Sequence, residues 1–238
     1  MAIADTTATG DIPLFRLGAV DSTNAAAWRY RAAGGTGEFA MVATHQTAGR
    51  GQWGRVWQSA PGGLFLSVGL GDRPDGVYPL AIAWGVAAQL QTQGVPVQLK
   101  WPNDLLLGGR KLGGLLVEGR SSDPEFTVVG LGLNWANPVP AGAARLADVP
   151  CAITDLEQLT TQALAGIHQG RSRWRGDRVG VLADWWQNLA GLALHQDGRR
   201  GQMVGILSTG ELQVQWEDAS QPQAYAPGTV RVGYNAAR

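Results

Sequence analysis

The sequence predicts an α+β domain followed by a small all-β appendage, with the boundary near residue 190. Three observations carry this. Before residue 190, apolar runs of strand length alternate with longer, Ala-rich or amphipathic runs of helix length. After Gly191, short strand-like pieces recur about every eight to twelve residues, the spacing of a small barrel of about 45 residues. A length of 238 residues, 45% of them hydrophobic, is enough to bury a sizeable core. The 34 glycines are about twice the usual share of roughly 7%, so a loop-rich chain is expected.

The elements follow in order. Asp21-Ser22-Thr23-Asn24 offers helix-capping side chains, and Ala25–Ala33 supplies helix formers before Gly34-Gly35 stops them. Phe39–Thr44 reads as a strand, His45–Gly63 as a glycine-punctuated loop, and Leu64–Leu70 as a second strand. Tyr78–Gln93 has the length and composition of a core-facing helix. Val97–Trp101 is strand-like, and Asp104–Leu107, Gly108-Gly109 and Leu112–Glu118 form a hairpin unit. Phe126–Trp135 is another strand-type run, while Thr154–Gly170 and Val179–Leu189 read as helices separated by a loop around Gly176. The appendage offers Leu192–His195, Gln202–Leu207, Leu212–Trp216, Ala224–Ala226 and Val230–Val232.

Composition and charge exclude several functions. Acidic and basic residues balance at 19 each, a poor basis for nonspecific nucleic-acid or anionic-membrane binding. Arg171, Arg173, Arg175 and Arg178 around Trp174 resemble a nucleic-acid patch, but Asp177 and the zero net charge favour a solvated face. Cys151 is the single cysteine, which rules out an intramolecular disulfide and a cysteine zinc cluster. The start has neither a basic end nor an apolar run, and Tyr78–Leu90 is too short to span a bilayer, so a cytoplasmic protein is expected. One count stands out. Of the 19 basic residues only Lys100 and Lys111 are lysines.

Two segments carry chemistry. In the first, Gln46 to Trp57, Gly49, Gly51 and Gly54 satisfy a GxGxxG pattern, yet the continuation through Pro61-Gly62-Gly63 breaks the helix that a dinucleotide fold needs. A flexible loop with exposed amides remains, in which Arg50 and Arg55 could clamp phosphate oxygens. An ordinary surface loop is the competing reading. The second segment is Lys100-Trp101-Pro102-Asn103-Asp104 with Arg110-Lys111-Leu112-Gly113-Gly114. A lysine at a strand edge usually carries a solvated charge. In a chain that otherwise uses arginine, however, these two positions favour a compact, rotatable ammonium suited to a phosphate or carboxylate oxygen.

Asp21–Asn24, Gly49–Trp57, Lys100–Asp104, Arg110–Gly114 and Gly130–Asn134, in this order and spacing, resemble the biotin protein ligases, the biotin–[acetyl-CoA-carboxylase] ligases. The resemblance covers essentially the whole chain. It implies a mixed sheet with helices, a class II synthetase-like catalytic domain over residues 1–190, and a C-terminal SH3-like barrel over 191–238. About twenty residues precede Asp21, so the ligase-only group without an N-terminal DNA-binding domain is expected. The implied reaction joins biotin and MgATP into biotinoyl-5′-AMP, then moves the acyl group to a lysine of the biotin carboxyl carrier protein of acetyl-CoA carboxylase.

Carried over position by position, the resemblance assigns biotin contacts to Ser22, Thr23, Asn24, Gln46, Arg50, Gly51, Gln52, Lys111, Gly113 and Gly114. ATP contacts fall on Arg50, Arg55, Trp57, Asn103, Lys111 and Asn134, with Mg2+ accompanying the nucleotide and no metal ligand assigned. Lys111 and Arg50 would stabilise charge at the reacting phosphorus. Asp104 would orient the acceptor lysine and help remove its proton; with an ordinary pKa near 10.4, only about one in a few thousand such amines is neutral at pH 7. Competing readings are helix caps for Ser22 and Thr23, a turn carboxylate for Asp104 and a core indole for Trp57. Gln52 departs from the Arg or Lys that many relatives carry there, which predicts looser closure over the adenylate. A homodimer is the assembly the family suggests. The alternatives are a non-catalytic biotin or adenylate sensor and a lipoate-type ligase.

Overall fold

The computed structural model describes residues 5–9, 12–189 and 192–230. In chain order the strands are β1 (Asp5–Thr9), β2 (Ile12–Val20), β3 (Phe39–Gln46), β4 (Leu64–Leu70), β5 (Val97–Lys100), β6 (Asp104–Leu107), β7 (Arg110–Arg120) and β8 (Asp123–Leu133). The helices are α1 (Thr23–Ala32), α2 (Tyr78–Thr92), α3 (Leu156–Gly176) and α4 (Arg178–Leu189). Four further strands close the described chain: β9 (Ala193–Gln196), β10 (Arg199–Ile206), β11 (Leu212–Trp216) and β12 (Gln223–Tyr225).

The first eight strands make one sheet in the order β1-β2-β3-β4-β8-β7-β6-β5. Only β2 and β3 run parallel, joined by the α1 crossover, so the sheet is mixed. Alternation along the strands divides the interior into two layers. Phe15, Phe39, Met41 and Val128 pack with Ala26, Ala27 and Trp28 of α1 on one face. Leu14, Ala40, Leu66, Val68 and Val129 pack under α2 and α3 on the other. Gly85, Gly166 and Gly170 let the α2 and α3 backbones touch: a Cβ at Gly85 would run into the carbonyl of Gly166. Asp155 caps α3 by accepting from the backbone N–H of Gln158 at 2.8 Å, and the Gln158 side chain accepts from the backbone N–H of Thr154, just before the cap.

Three expectations are corrected. The C-terminal strands form an open four-stranded antiparallel sheet, β12-β11-β10-β9, and no closed barrel forms among the described residues. Part of the expected last strand, and the expected boundary at 190–191, lie outside them. The helix expected to end at Gly170 continues to Gly176, with only Asp177 separating it from α4. The arginines of that segment are not uniformly a solvated face: Arg175 and Arg178 stay half exposed, as expected, but Arg171 is buried. Arg171, with a side chain 10% exposed, pairs with Glu38 and Asp72 at 2.5 Å each. Arg175 takes the other oxygen of Asp72, and Arg178 pairs with Asp75 while lying over Trp174. Tyr78 donates to Asp72 at 3.0 Å, and burial pushes its hydroxyl pKa far above the usual value.

Candidate functional site

One end of the sheet opens into a cavity of about 850 Å³, within the ~300–1,000 Å³ range of small-molecule sites. Its lining comes from the start of α1, the loop after β3, the β5–β6 turn, β7, the end of β8 and residues 228 and 230.

The α1 start is held by side chains rather than by self-capping. Ser22 occupies the N-cap, yet its side chain makes no capping hydrogen bond. Gln46 Oε1 accepts from the backbone N–H of Thr23 at 2.8 Å and from its hydroxyl at 3.1 Å. Gln46 Nε2 donates to Ser59 at 2.7 Å, and Ser59 donates to the Trp57 carbonyl. Asn24 donates to Glu118 at 2.7 Å and to the Leu116 carbonyl, while Ser67 on β4 lies 2.6 Å from its Oδ1. This network ties α1, β3, β4 and β7 together behind the cavity.

The glycine-rich segment is a tight hairpin rather than a loose loop. Arg50 and Val56 form an antiparallel bridge, Gly51 N–H donates to the Arg55 carbonyl at 2.7 Å, and Trp57 N–H donates to Gly49 at 2.9 Å. A short 3-10 turn, Gln52–Gly54, forms the tip, with Trp53 in the left-handed region at φ 58. Arg55 folds its Nε onto the Gln52 carbonyl at 3.3 Å. Arg50 stays half exposed and sits 3.6 Å from Glu118. Trp57 packs against Gly132, and its indole N–H is a buried donor without a partner among the described residues. Such an orphan costs about 1–3 kcal/mol unless something accepts from it.

The charged centre lies opposite. Asp104 is almost fully buried and meets both lysines: Lys111 Nζ lies 2.7 Å from Oδ1, and Lys100 Nζ lies 3.6 Å from Oδ2. Lys111 Nζ also stands 5.4 Å from the centre of the Trp57 ring, inside the reach of a cation–π contact. Burial pushes the Lys100 ammonium pKa below its usual value, against the attraction of Asp104. Asn103 is fastened to the Leu115 carbonyl at 2.5 Å, and Asn134 to the Ala144 carbonyl at 3.1 Å.

The cavity therefore gathers every sequence-predicted site residue except one. A Cβ on Gly113 would meet Leu133 and the Gly132 carbonyl, so that glycine serves strand packing and does not line the space. Among the described residues no cluster of three or more His, Cys, Asp or Glu side chains could hold a metal ion. The carboxylate in the cavity, flanked by two ammoniums, is a poor ligand set for a divalent cation.

Residues 18–134 match the model of the Biotin/lipoate A/B protein ligase family, a segment that carries most of the cavity wall. The match spans 117 residues, just under half of the chain. A biotin–[acetyl-CoA-carboxylase] ligase of Mycobacterium tuberculosis is 34% identical over 158 residues, covering 61% of this chain and 58% of the relative. One of Paracoccus denitrificans is 37% identical over 152 residues, covering 56% and 59%. The chain thus spans under two thirds of the length of these curated relatives. A biotin protein ligase from Aquifex aeolicus, solved in complex with biotin and ATP, superposes with a TM-score of 0.76 at 25% identity, covering 92% of this chain and 97% of that one.

Three contributors to the site carry no assignment from the sequence. Lys100, a rare lysine for which the sequence leaves a solvated edge and an anion contact both open, is buried beside Asp104. Trp101 sends its indole N–H to the Gly210 carbonyl at 3.1 Å, fastening the lysine-bearing turn to the C-terminal sheet. Gly228 reaches the hairpin tip, where an added Cβ would collide with the Trp53 indole. No local pattern in the sequence pairs residues 210 and 228 with their partners; the fold alone does.

Proposed function

We propose that the protein activates biotin with ATP to biotinoyl-5′-AMP and transfers biotin to one lysine of a biotin carboxyl carrier protein. The observation that carries this reading is the convergence of Arg50, Lys111 and Asp104 on one cavity that a glycine-rich hairpin overhangs. In the first half-reaction a biotin carboxylate oxygen attacks the α-phosphorus, and pyrophosphate leaves with the electrons of the broken P–O bond. Two anions must approach, so fixed positive charge at Arg50 and Lys111 supplies the main stabilisation. The ureido ring would lie toward Ser22, Thr23 and Gln46, with the backbone at Gly114 close by and the nucleotide toward Arg55, Trp57 and Asn134. The partnerless Trp57 N–H would gain an acceptor when the adenylate forms. In the second half-reaction Asp104 orients the acceptor amine. Mg2+ would travel on the ATP phosphates, since the cavity offers it no carboxylate cluster.

Support comes from the relatives named as biotin ligases and from the neighbour that holds biotin and ATP. On the same basis we read residues 1–190 as the catalytic domain and 191–238 as a small C-terminal β module, in a cytoplasmic protein. The described helices include none long and apolar enough to cross a membrane. A homodimer formed through sheet edges is the assembly that accompanies this reading. Biotin-dependent pyrophosphate release tests the function. Release that needs lipoate instead would overturn the substrate, and biotin binding without turnover would favour a sensor.

A further inference from the structure

Lys100 and Asp104 flank the Trp-Pro-Asn turn and are register partners across β5 and β6, so their side chains share one face. A bulge between Leu105 and Leu106 shifts β7, placing Gly114 opposite Asp104. That glycine leaves the room into which Lys111 folds: a Cβ there would lie 3.2 Å from Asp104 Oδ1 and 3.5 Å from Lys111 Nζ. The carboxylate is thereby shared, one oxygen to each ammonium.

The two lysines differ in freedom. Both border the cavity, but the Lys100 side chain is 11% exposed and directly precedes the anchored Trp101, while the Lys111 side chain is 26% exposed. Lys111 cannot serve an incoming carboxylate and phosphate while it is fully committed to Oδ1. If it were the sole counter-ion, its departure would strand a buried carboxylate, which is costly.

We propose that Lys100 is the fixed counter-ion of Asp104, releasing Lys111 to the anionic ligands and then acidifying the acceptor amine that takes the vacated Oδ1. This deepens the ligase reading above and rests on it. In the transfer step an acceptor ammonium on Oδ1 stands within a few ångströms of the Lys100 charge, with Asp104 between them. A like charge at that range lowers the pKa of the acceptor ammonium and favours loss of its proton to solvent, while Asp104 holds the amine in place. The neutral amine then attacks the acyl carbon of biotinoyl-AMP; the C–N bond forms, the acyl C–O bond breaks, and AMP leaves with that electron pair. The charged groups facing Lys100 are Asp104 on β6, Lys111 on β7 and Arg55 in the hairpin. Lys100 is a positioning residue, acting through Asp104.

The test is single-turnover transfer from biotinoyl-AMP to an apo carrier domain, followed from pH 6.5 to 9.5 with the full chain and its K100Q and K100R variants. For K100Q the rising limb of the profile should move up by about one pH unit, so that transfer is roughly tenfold slower at pH 7 and recovers in alkali. For K100R, which keeps the charge, the limb should stay where it is in the wild type. A K100Q rate lowered by the same factor at every pH, or a K100R limb displaced like that of K100Q, would overturn the proposal. The K100R arm stands even if K100Q fails to fold. Failure of the underlying function is distinct, since the wild type would then release no pyrophosphate with biotin.

Discussion

Lysine and arginine are not exchangeable at position 111. Its ammonium fits between Asp104 and the Trp57 ring because Gly114 leaves that space, whereas a planar guanidinium needs a wider slot and a fixed fork geometry. Lys111→Arg should slow biotin-dependent pyrophosphate release by about tenfold or more despite the retained charge. An unimpaired rate would make residue 111 a generic surface cation. The sequence showed both lysines in the motif region, and it showed Asp104, but it left the direction of each side chain open. A lysine at a strand end reads as solvated because nothing local announces a cover. Here the groups that meet Lys100 are Asp104, Lys111 and Arg55, and the adjacent Trp101 is tied to the Gly210 carbonyl, over a hundred residues away in the chain.

Among the elements, the glycine-rich hairpin is the part whose closure matters most, because an acyl-adenylate left open to water is lost. Its tip bears on the turn after β12 through Trp53 and Gly228, and Gly228 has a φ of +88 that disfavours side chains. Gly228→Ala should displace Trp53 and speed the escape of preformed biotinoyl-AMP by about tenfold; escape at the wild-type rate would show that the contact does not hold the hairpin. Strands β4, β6 and β11 were legible to the residue because uninterrupted apolar or alternating runs are bounded by turn residues. β2 was not: Pro13, Arg16 and Gly18 break its alternation, and the burial that makes it a strand comes from α1 and β3. The hairpin was read as a mobile loop because its backbone pairing leaves no trace in side-chain pattern.

Across the whole molecule, the Arg171–Asp72–Glu38 cluster joins α3 to the segments beside β3 and β4. Burial alone would raise the Glu38 carboxyl pKa, but the Arg171 hydrogen bonds overcome it and hold the group below its usual value. A carboxyl lowered on folding contributes stability that is complete above its unfolded value near 4.3 and is lost as pH falls through the folded value. Glu38→Gln should therefore lower Tm by a few degrees at pH 7, with the gap to wild type closing between about pH 5 and 3. A gap independent of pH would remove the ion pair from the account. The α+β class and the β appendage were evident in composition and spacing, while the continuity of the core from β4 through Trp216 was not, since it depends on packing between distant segments. The central claim, biotin activation and transfer in the cavity of Arg50, Asp104 and Lys111, is tested most directly by the intact mass of an apo carrier domain incubated with the protein, biotin and ATP. One biotin adduct on a single carrier lysine, absent without ATP, is the predicted result; saturable biotin binding with an unmodified carrier would contradict it.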